Sequence, residues 1–435
     1  MTAAERADLA DLIVTGGDVL TVDEAGTVVP GGAVAIRDGV IAAVGPAAEV
    51  TARYAAGEVL DASGCLVLPG LVNAHTHLAM TVFRGRADDV DLQGFLAEVI
   101  AAEVALLSPE MVAVGVECAI AESVRSGVTG ALDMYWFHEA AAEVAVRTGF
   151  RLLTGPTFMD IEGPPDGRDF TTRLDWARAD LAGGRPYVMA HSTYTLDPGQ
   201  LREVTALARE HDAVLHIHAA ENAGEVDMVA GRYGRRPVEL LDDLGLLGPD
   251  TVLAHAVHLT DGEIAALART GTAVAHCPGS NLKLAAGVAR VPELLAAGVP
   301  VGLGTDGAVS SNTLDMFTAL RTAAIVHKGF SGDPTVVDAR QAVRMATIGS
   351  ARAVGMGDRL GSLEPGKQAD LIVVDLNAPH LLPRHDPWST LAYAATAADV
   401  RDTVVAGRVL MRDRHLTTLD ESRIGNLLQR VTAAR

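Results

Sequence analysis

The sequence predicts an α/β protein, a (β/α)₈ barrel joined to a small β-sandwich domain assembled from both chain termini. Three observations lead there. Short alternating runs near both ends read as hairpins, and the long middle alternates apolar strand-like runs with Ala-rich amphipathic stretches. Several of those apolar runs also close on a residue able to bind a metal or move a proton. The parallel strands of a barrel all end at one catalytic face, so such residues would collect there.

Taken in order, residues 11–64 carry runs such as Leu12-Ile-Val-Thr-Gly-Gly-Asp-Val-Leu20 and Gly32-Ala-Val-Ala-Ile-Arg-Asp-Gly-Val-Ile-Ala-Ala-Val-Gly45, whose Gly and Asp punctuation marks hairpin turns. Strand-like runs follow at residues 66–74, 129–134, 151–158, 186–190, 213–218, 251–256, 272–277 and 299–304. Amphipathic stretches such as Met111–Ser126, Pro198–His211 and Thr260–Thr270 lie among them. Hairpin patterns return at Ala369–Asp375 and Asp402–Arg412, so the two ends are expected to pair into one small domain, residues 1–65 with 360–435. Residues 66–359 then form the barrel. An open doubly wound sheet would call for Gly-x-Gly-x-x-Gly after an early strand, and none is present.

With 435 residues, 49% of them hydrophobic, the chain can bury a large core and is too long for one small domain. A formal net charge of −20 repels polyanions, which argues against nucleic acid, an anionic membrane surface or a heavily phosphorylated ligand. A small neutral or cationic ligand is expected instead, and a homo-oligomer is compatible with these numbers. Cys65, Cys118 and Cys277 are far apart, odd in number and set mostly in apolar runs, as in a reduced cytoplasmic protein. The first residues lack an apolar targeting core, and no apolar stretch reaches membrane-spanning length.

His75-Thr76-His77 closes the run Cys65-Leu-Val-Leu-Pro-Gly-Leu-Val-Asn-Ala74. In a strand, residues i and i+2 point the same way, so both imidazoles are aimed above the strand end. A lone His-x-His pair is as often a partly buried polar pair as a ligand set, but the arrangement recurs. Ala213-Val-Leu-His-Ile-His218-Ala-Ala-Glu221, Thr251-Val-Leu-Ala-His255 and Val299-Pro-Val-Gly-Leu-Gly-Thr-Asp306 end in the same manner. His75, His77, His218 and Asp306 are the natural protein ligands for one divalent ion, Zn²⁺ first and Fe²⁺ as the alternative, with a position left for water. Such an ion would make a hydroxide available near neutral pH. Strand four ends Tyr187-Val-Met-Ala-His191 and has no lysine that could be carboxylated to bridge a second metal.

These residues and their order resemble the amidohydrolase superfamily, specifically the mononuclear aminohydrolases that include methylthioadenosine/S-adenosylhomocysteine and 5′-deoxyadenosine-type deaminases. The likeness runs from Pro69-Gly-Leu-Val-Asn-Ala-His-Thr-His77 through Met80-Thr-Val-Phe-Arg-Gly85, Asp133-Met-Tyr135, His218-Ala-Ala-Glu221 and Ala254-His-Ala-Val-His258. It continues with His276-Cys-Pro-Gly-Ser-Asn-Leu-Lys-Leu284, Leu303-Gly-Thr-Asp-Gly307 and Gly361-Ser-Leu-Glu-Pro-Gly-Lys-Gln-Ala-Asp-Leu371. The resemblance implies that Glu221 protonates a purine ring nitrogen and carries a proton to departing ammonia. It further implies that His255 orients the attacking oxygen and that Asp306 binds metal and accepts a proton. In isolation Glu221 would read as an ordinary solvated acid at a helix start. His276 and His258 are as readily satisfied by backbone as by a ligand, and His258 is set aside.

For the substrate, the resemblance implies an adenosine-type nucleoside converted to its 6-oxo product. Glu103 is the nearest match to the carboxylate that holds ribose hydroxyls, with Glu98 a lesser candidate, and His191 matches the strand-four histidine that touches purine or sugar. At strand three, Leu152-Leu-Thr-Gly155 lacks the arginine that can hold an amino-acid carboxylate, and Arg168 in the next loop is the candidate substitute. Deamination of guanine or another amino-heterocycle, or dechlorination of an s-triazine, are alternatives on the same metal site. An amine leaving group needs a proton relay and chloride does not, so Glu221, His255 and Asp306 together favour deamination. A non-catalytic scaffold on the same barrel is the remote alternative, and it would have lost the ligands this chain keeps.

Overall fold

Eight parallel strands form the ring in the computed structural model, which describes residues 8–90, 92–184 and 186–433. They are β1 (Leu71–Thr76), β2 (Val128–Asp133), β3 (Arg151–Leu153, resumed at Thr157–Phe158), β4 (Tyr187–Ser192), β5 (Val214–Ala219), β6 (Thr251–His255), β7 (Ala273–His276) and β8 (Val301–Leu303). Each pairs in parallel with the next. The break in β3 is bridged by Met189 N donating to Pro156 O at 2.9 Å, and the ring closes where Asp306 N donates to His75 O at 3.0 Å. The chain is therefore a (β/α)₈ barrel, as its strand spacing predicts.

Helices cover the outside, and their starts follow from their caps. Ser108 accepts from Met111 N to open helix Pro109–Arg125, while Asp197 and Thr260 form capping boxes with Gln200 and Glu263 ahead of Pro198–Glu210 and Asp261–Thr270. Strand alternation assigns the two faces of the ring. On β5, Leu215 and Ile217 join the large apolar core against the helices, whereas His216 and His218 point to the other side. Among the described residues no helix is long and apolar enough to cross a membrane.

The terminal segments build two further sheets. Strands Val40–Pro46, Gly32–Arg37, Asp8–Thr15 and Tyr54–Asp61 form one, in that spatial order. The other has seven strands and runs from His415–Leu416 through Arg408–Arg412, Val400–Val405, Leu371–Asp375, Cys65–Pro69 and Asp18–Leu20 to Val28–Val29. Val67, Leu371, Val373 and Val404 of the second sheet pack with Leu12, Val14, Val34 and Ile36 of the first, and Leu66, Leu68, Ile372 and Val374 turn the other way into the barrel core. A sheet buried on both faces needs apolar residues at every position, which explains the unbroken run Cys65–Leu68. Residues 1–7, 434 and 435 of the expected terminal domain lie outside the described residues.

One expectation needs correcting. The run 66–74 was expected as a single barrel strand, but it divides at Gly70: Cys65–Pro69 pairs antiparallel with Leu371–Asp375 in the terminal sheet, and only Leu71–Thr76 enters the barrel. Burial on both sides made the two strands look continuous. Gly70 permits the crossing because a Cβ there would overlap the buried Thr129 side chain.

Gly155, in the break of β3, is similarly constrained: a Cβ would fall inside the van der Waals surface of the Tyr187 carbonyl oxygen. Backbone cannot yield as a side-chain tip can. Gly155→Ala is expected to lose about 1–3 kcal/mol of stability by overpacking, read from denaturant melts, while Gly57→Ala, with open space around it, stays within about 0.5 kcal/mol of wild type. Equal stability of both variants would contradict the assignment.

Candidate active site

At the carboxyl end of the barrel the strands depart from regular geometry where the polar residues sit. On β1 the register runs Asn73 opposite Ala131 and Thr76 opposite Asp133, three residues against two, so His75 lies in a bulge. On β4 the step from Ala190 to Ser192 is set against Ile217 to His218, and the extra residue is His191. At or just beyond the ends of β5, β6 and β8 the chain turns through left-handed conformations at Ala220 (φ 53°), His255 (φ 70°) and Asp306 (φ 61°). Non-glycine residues in that region cost of order 1–3 kcal/mol each, a strain that clusters at functional sites.

The expected ligands converge. His77 Nε2 lies 3.3 Å from His218 Nε2 and 3.3 Å from Asp306 Oδ1, and His75 Nε2 is 3.5 Å from the same oxygen. His77 Nδ1 donates to Met134 O, and His218 Nδ1 donates to His191 O at 2.7 Å. A carbonyl only accepts, so both imidazoles carry the proton on Nδ1 and present bare Nε2 lone pairs to the centre. His75 Nε2 is buried and makes no hydrogen bond among the described residues.

Protonation states suit a cation. Burial pushes His75 down to about 4, aided by the neighbouring His77 and His255 against the opposing pull of Asp306, and it drives His218 well below the ordinary histidine value. Burial alone would raise Asp306, but the adjoining imidazoles of His75, His255 and His77, where protonated, draw it well below the usual carboxylate range, and a cation takes that part when the rings are neutral. Neutral imidazole and ionised carboxylate are the forms that ligate a divalent ion. The donor set therefore fits one such ion, which His75, His77, His218 and Asp306 would hold. A second convergence joins His75 and His255 with Cys277, but burial holds the Cys277 thiol well above its usual value, away from the thiolate a metal requires.

Glu221 and His255 stand beside this centre. Both are buried, with Glu221 Oε1 3.9 Å from His255 Nε2. Burial raises the Glu221 pKa, offset by His255 and reinforced by Asp306. Burial works to lower His255, yet the carboxylates of Glu221 and Asp306 and a 2.9 Å hydrogen bond to Asn281 raise it. A carboxyl and an imidazole pushed toward proton-holding states have the chemistry that proton transfer requires.

Two adjoining compartments lead away from the centre and share His77, Met80 and His191. The first is lined by Phe95, Tyr194, Glu221, His255, Leu284 and Asp306. Glu103 lies in the second with Val99, Ile100, Met134, Trp136 and Met159. Its two oxygens accept from Tyr135 Oη at 2.6 Å and Trp136 Nε1 at 3.4 Å, and burial pushes its pKa up to about 7 against those bonds. Glu98, by contrast, is half-exposed and faces Arg86 at 3.7 Å. His191 Nδ1 bonds Ser192 and Thr195 hydroxyls at 3.1 Å.

Arg168 is the candidate the structure keeps apart. Its guanidinium pairs with Asp166 at 2.9 Å and lies 4.3 Å from the Trp176 ring centroid, outside the lining of both compartments. His258 is satisfied by Ala286 O at 2.7 Å, and His276 Nε2 faces His327 Nε2 at 3.2 Å.

Sequence reasoning gave no role to four residues that hold the site. Glu225 accepts from Ala220 N and Glu221 N at 3.0 and 2.7 Å, fixing the left-handed turn that carries Glu221. Ser280 donates to Asp306 Oδ2 at 2.6 Å, and Asn281 bonds His255. His216 Nε2 faces His75 Nδ1 at 2.7 Å. The signal for His216 was present in the second His-x-His of the chain.

Known proteins resemble this chain over most of its length. The amidohydrolase family matches residues 66–410, and the bacterial imidazolonepropionase-like composite domain matches residues 32–56. The chain is 46% identical over 429 residues to the 5-methylthioadenosine/S-adenosylhomocysteine deaminase of Syntrophobacter fumaroxidans, covering 97% of each. It is 40% identical over 421 residues to the 5′-deoxyadenosine deaminase of Methanosarcina mazei, covering 96% of each. Among solved structures, an adenosine deaminase from Xanthomonas campestris with bound zinc superposes with a TM-score of 0.94 at 37% identity, covering 98% of this chain and 99% of that one.

Purified protein is expected to carry about one equivalent of divalent metal, and alanine at His75, His77, His218 or Asp306 should each lower that content in atomic-absorption analysis. Two equivalents, or unchanged content in all four variants, would contradict the ligand set.

Proposed function

The chain belongs to the amidohydrolase family, and from that premise we propose that it is a hydrolase acting on a carbon–nitrogen bond, converting the 6-amino group of an adenosine-type nucleoside to the 6-oxo group with release of ammonia. One observation carries the reading: three bare imidazole nitrogens and a carboxylate converge beside a buried Glu221 and His255 pair. The names of the relatives support the nucleoside class.

His75, His77, His218 and Asp306 would hold the ion, for which the zinc-bound neighbour supports Zn²⁺, with Fe²⁺ the alternative. When bound, such an ion supplies the Lewis acidity that makes water nucleophilic near neutral pH. Glu221, whose burial favours the protonated form, delivers its proton to the purine ring nitrogen next to the reacting carbon. His255, fixed by Asn281, positions the attacking oxygen, and Asp306, anchored by Ser280 and Gly307 N, accepts its proton. Transfer of a proton to the amino group then releases ammonia.

Glu103 and His191 are assigned to the sugar and purine edges, since both border the compartment that adjoins the centre. A carboxylate accepts from paired hydroxyls, which favours ribose. No lysine or arginine is among the described residues lining either compartment, and buried Arg173 beneath Trp136 is committed to Asp166 at 2.7 and 2.8 Å. Uncharged 5′-substituents, such as hydroxyl, hydrogen or methylthio, are therefore favoured over an amino-acid carboxylate or a phosphate. Three free cysteines, two of them buried, support a reducing compartment, the cytoplasm.

An ammonia-release screen tests the class. Adenosine, 5′-deoxyadenosine and 5′-methylthioadenosine should exceed S-adenosylhomocysteine in kcat/KM, with AMP poor. Turnover confined to a free base or a triazine would reject the nucleoside reading.

Glu221→Gln should keep its metal and fold while kcat falls about 10²–10⁴-fold, the scale of a removed general acid or base. Near-wild-type turnover in the metal-replete variant would move that role to another group.

Glu103 generates a separate expectation. Its carboxylate is present above about pH 7 and lost below, so KM for ribosides should rise as pH falls from 8 to 6. Glu103→Gln should flatten that rise, and Glu103→Ala should cost about 1–3 kcal/mol in kcat/KM. A pH-dependent KM that survives in Glu103→Gln would contradict the assignment.

A further inference from the structure

We propose that His216 is a positioning residue that sets the tautomer and ring orientation of His75, so that the metal-facing nitrogen of His75 is the unprotonated one. The proposal rests on the metal-site reading above and extends it to a histidine outside the ligand set. His216 is wholly buried on β5, two residues before His218 and on the same face of the strand. Its Nδ1 lies 3.1 Å from Val252 O on β6. A carbonyl cannot donate, so Nδ1 carries the proton, and the neutral ring then offers Nε2 as an acceptor. His75 Nδ1 meets that acceptor at 2.7 Å and must be the donor.

The order of donation is thus fixed from Val252 inward. A backbone carbonyl at one end determines that His75 Nε2 is bare at the other, and this is the buried atom without a hydrogen-bond partner that points at Asp306. His77 and His218 achieve the same state by donating directly to the carbonyls of Met134 and His191. His75 sits in the β1 bulge, where its nearest acceptor is another imidazole, so the carbonyl acts through one relay. The ring centroids are 4.9 Å apart at 59°, which also limits rotation of His75 about its own axis. Partners of this kind typically change metal affinity by about 10–100-fold when removed.

The test uses metal-loaded full-length protein with a colorimetric chelator in excess, following metal release at constant pH, and thermal melting of the metal-free forms. His216→Leu fills the space and removes the acceptor, leaving the His75 N–H unsatisfied or swapped to the metal side. Release should quicken about 10–100-fold, and the metal-free melting temperature reports separately any stability lost to the unsatisfied N–H. His216→Gln, whose amide oxygen can accept from His75, should release metal near the wild-type rate. Should His216→Leu fail to fold, His216→Met takes its place, with no strong acceptor in similar volume. Release from His216→Leu or His216→Met at the wild-type rate, or equally fast release from His216→Gln, overturns the assignment of His216 alone. Wild-type protein that binds no metal overturns the metal-site reading and this proposal with it.

Discussion

His77 Nε2 and His218 Nε2 face each other at 3.3 Å with both protons held on the far nitrogens, and the Asp306 carboxylate closes the third side. Two lone pairs and an anion in a buried pocket repel one another, and an unpaired buried charge costs several kcal/mol. Only a cation at their centre turns that arrangement from a liability into an attraction. Much of the barrel mouth serves to maintain it: carbonyls of Met134 and His191 take the outer protons, and Ser280 and Gly307 N fill the remaining sites on Asp306.

The cost of this convergence is distributed through the strand ends. Bulges at His75 and His191 and left-handed turns at Ala220, His255 and Asp306 each depart from regular strand geometry. Glu225 illustrates the logic. Its buried carboxylate takes both backbone N–H groups of the Ala220–Glu221 turn, so the Glu221 side chain is anchored through its own main chain. The cluster of His75, His77, His218 and Asp306 and the Glu221–His255 pair then adjoin one another at the barrel mouth.

Most of the barrel was legible because its strands are short apolar runs ended by chemistry. His75, His77, His218, Glu221, His255 and Asp306 all lie at or just beyond such ends, and position in the run singled them out as the residues the fold brings together. Where burial is two-sided that signal fails: Cys65–Pro69 and Leu71–Thr76 read as one strand because the seven-stranded sheet is buried between the four-stranded sheet and the barrel. Residues that act by holding others were harder to see. Ser280, Asn281 and Glu225 sit in loops or first helical turns, where polar side chains are common, and only three-dimensional pairing singles them out. Arg168 shows the reverse: a loop arginine plausible by position proves committed to Asp166 and Trp176.

The central claim is that one cation is bound through the Nε2 atoms of His75, His77 and His218 together with Asp306. Anomalous diffraction from crystals of the metal-loaded protein, collected on both sides of the metal absorption edge, tests it most directly. The account predicts one peak per chain, about 2.0–2.2 Å from those three Nε2 atoms and an Asp306 oxygen. A second peak within the same mouth, or a single peak coordinated through Nδ1 or through Cys277, would contradict it.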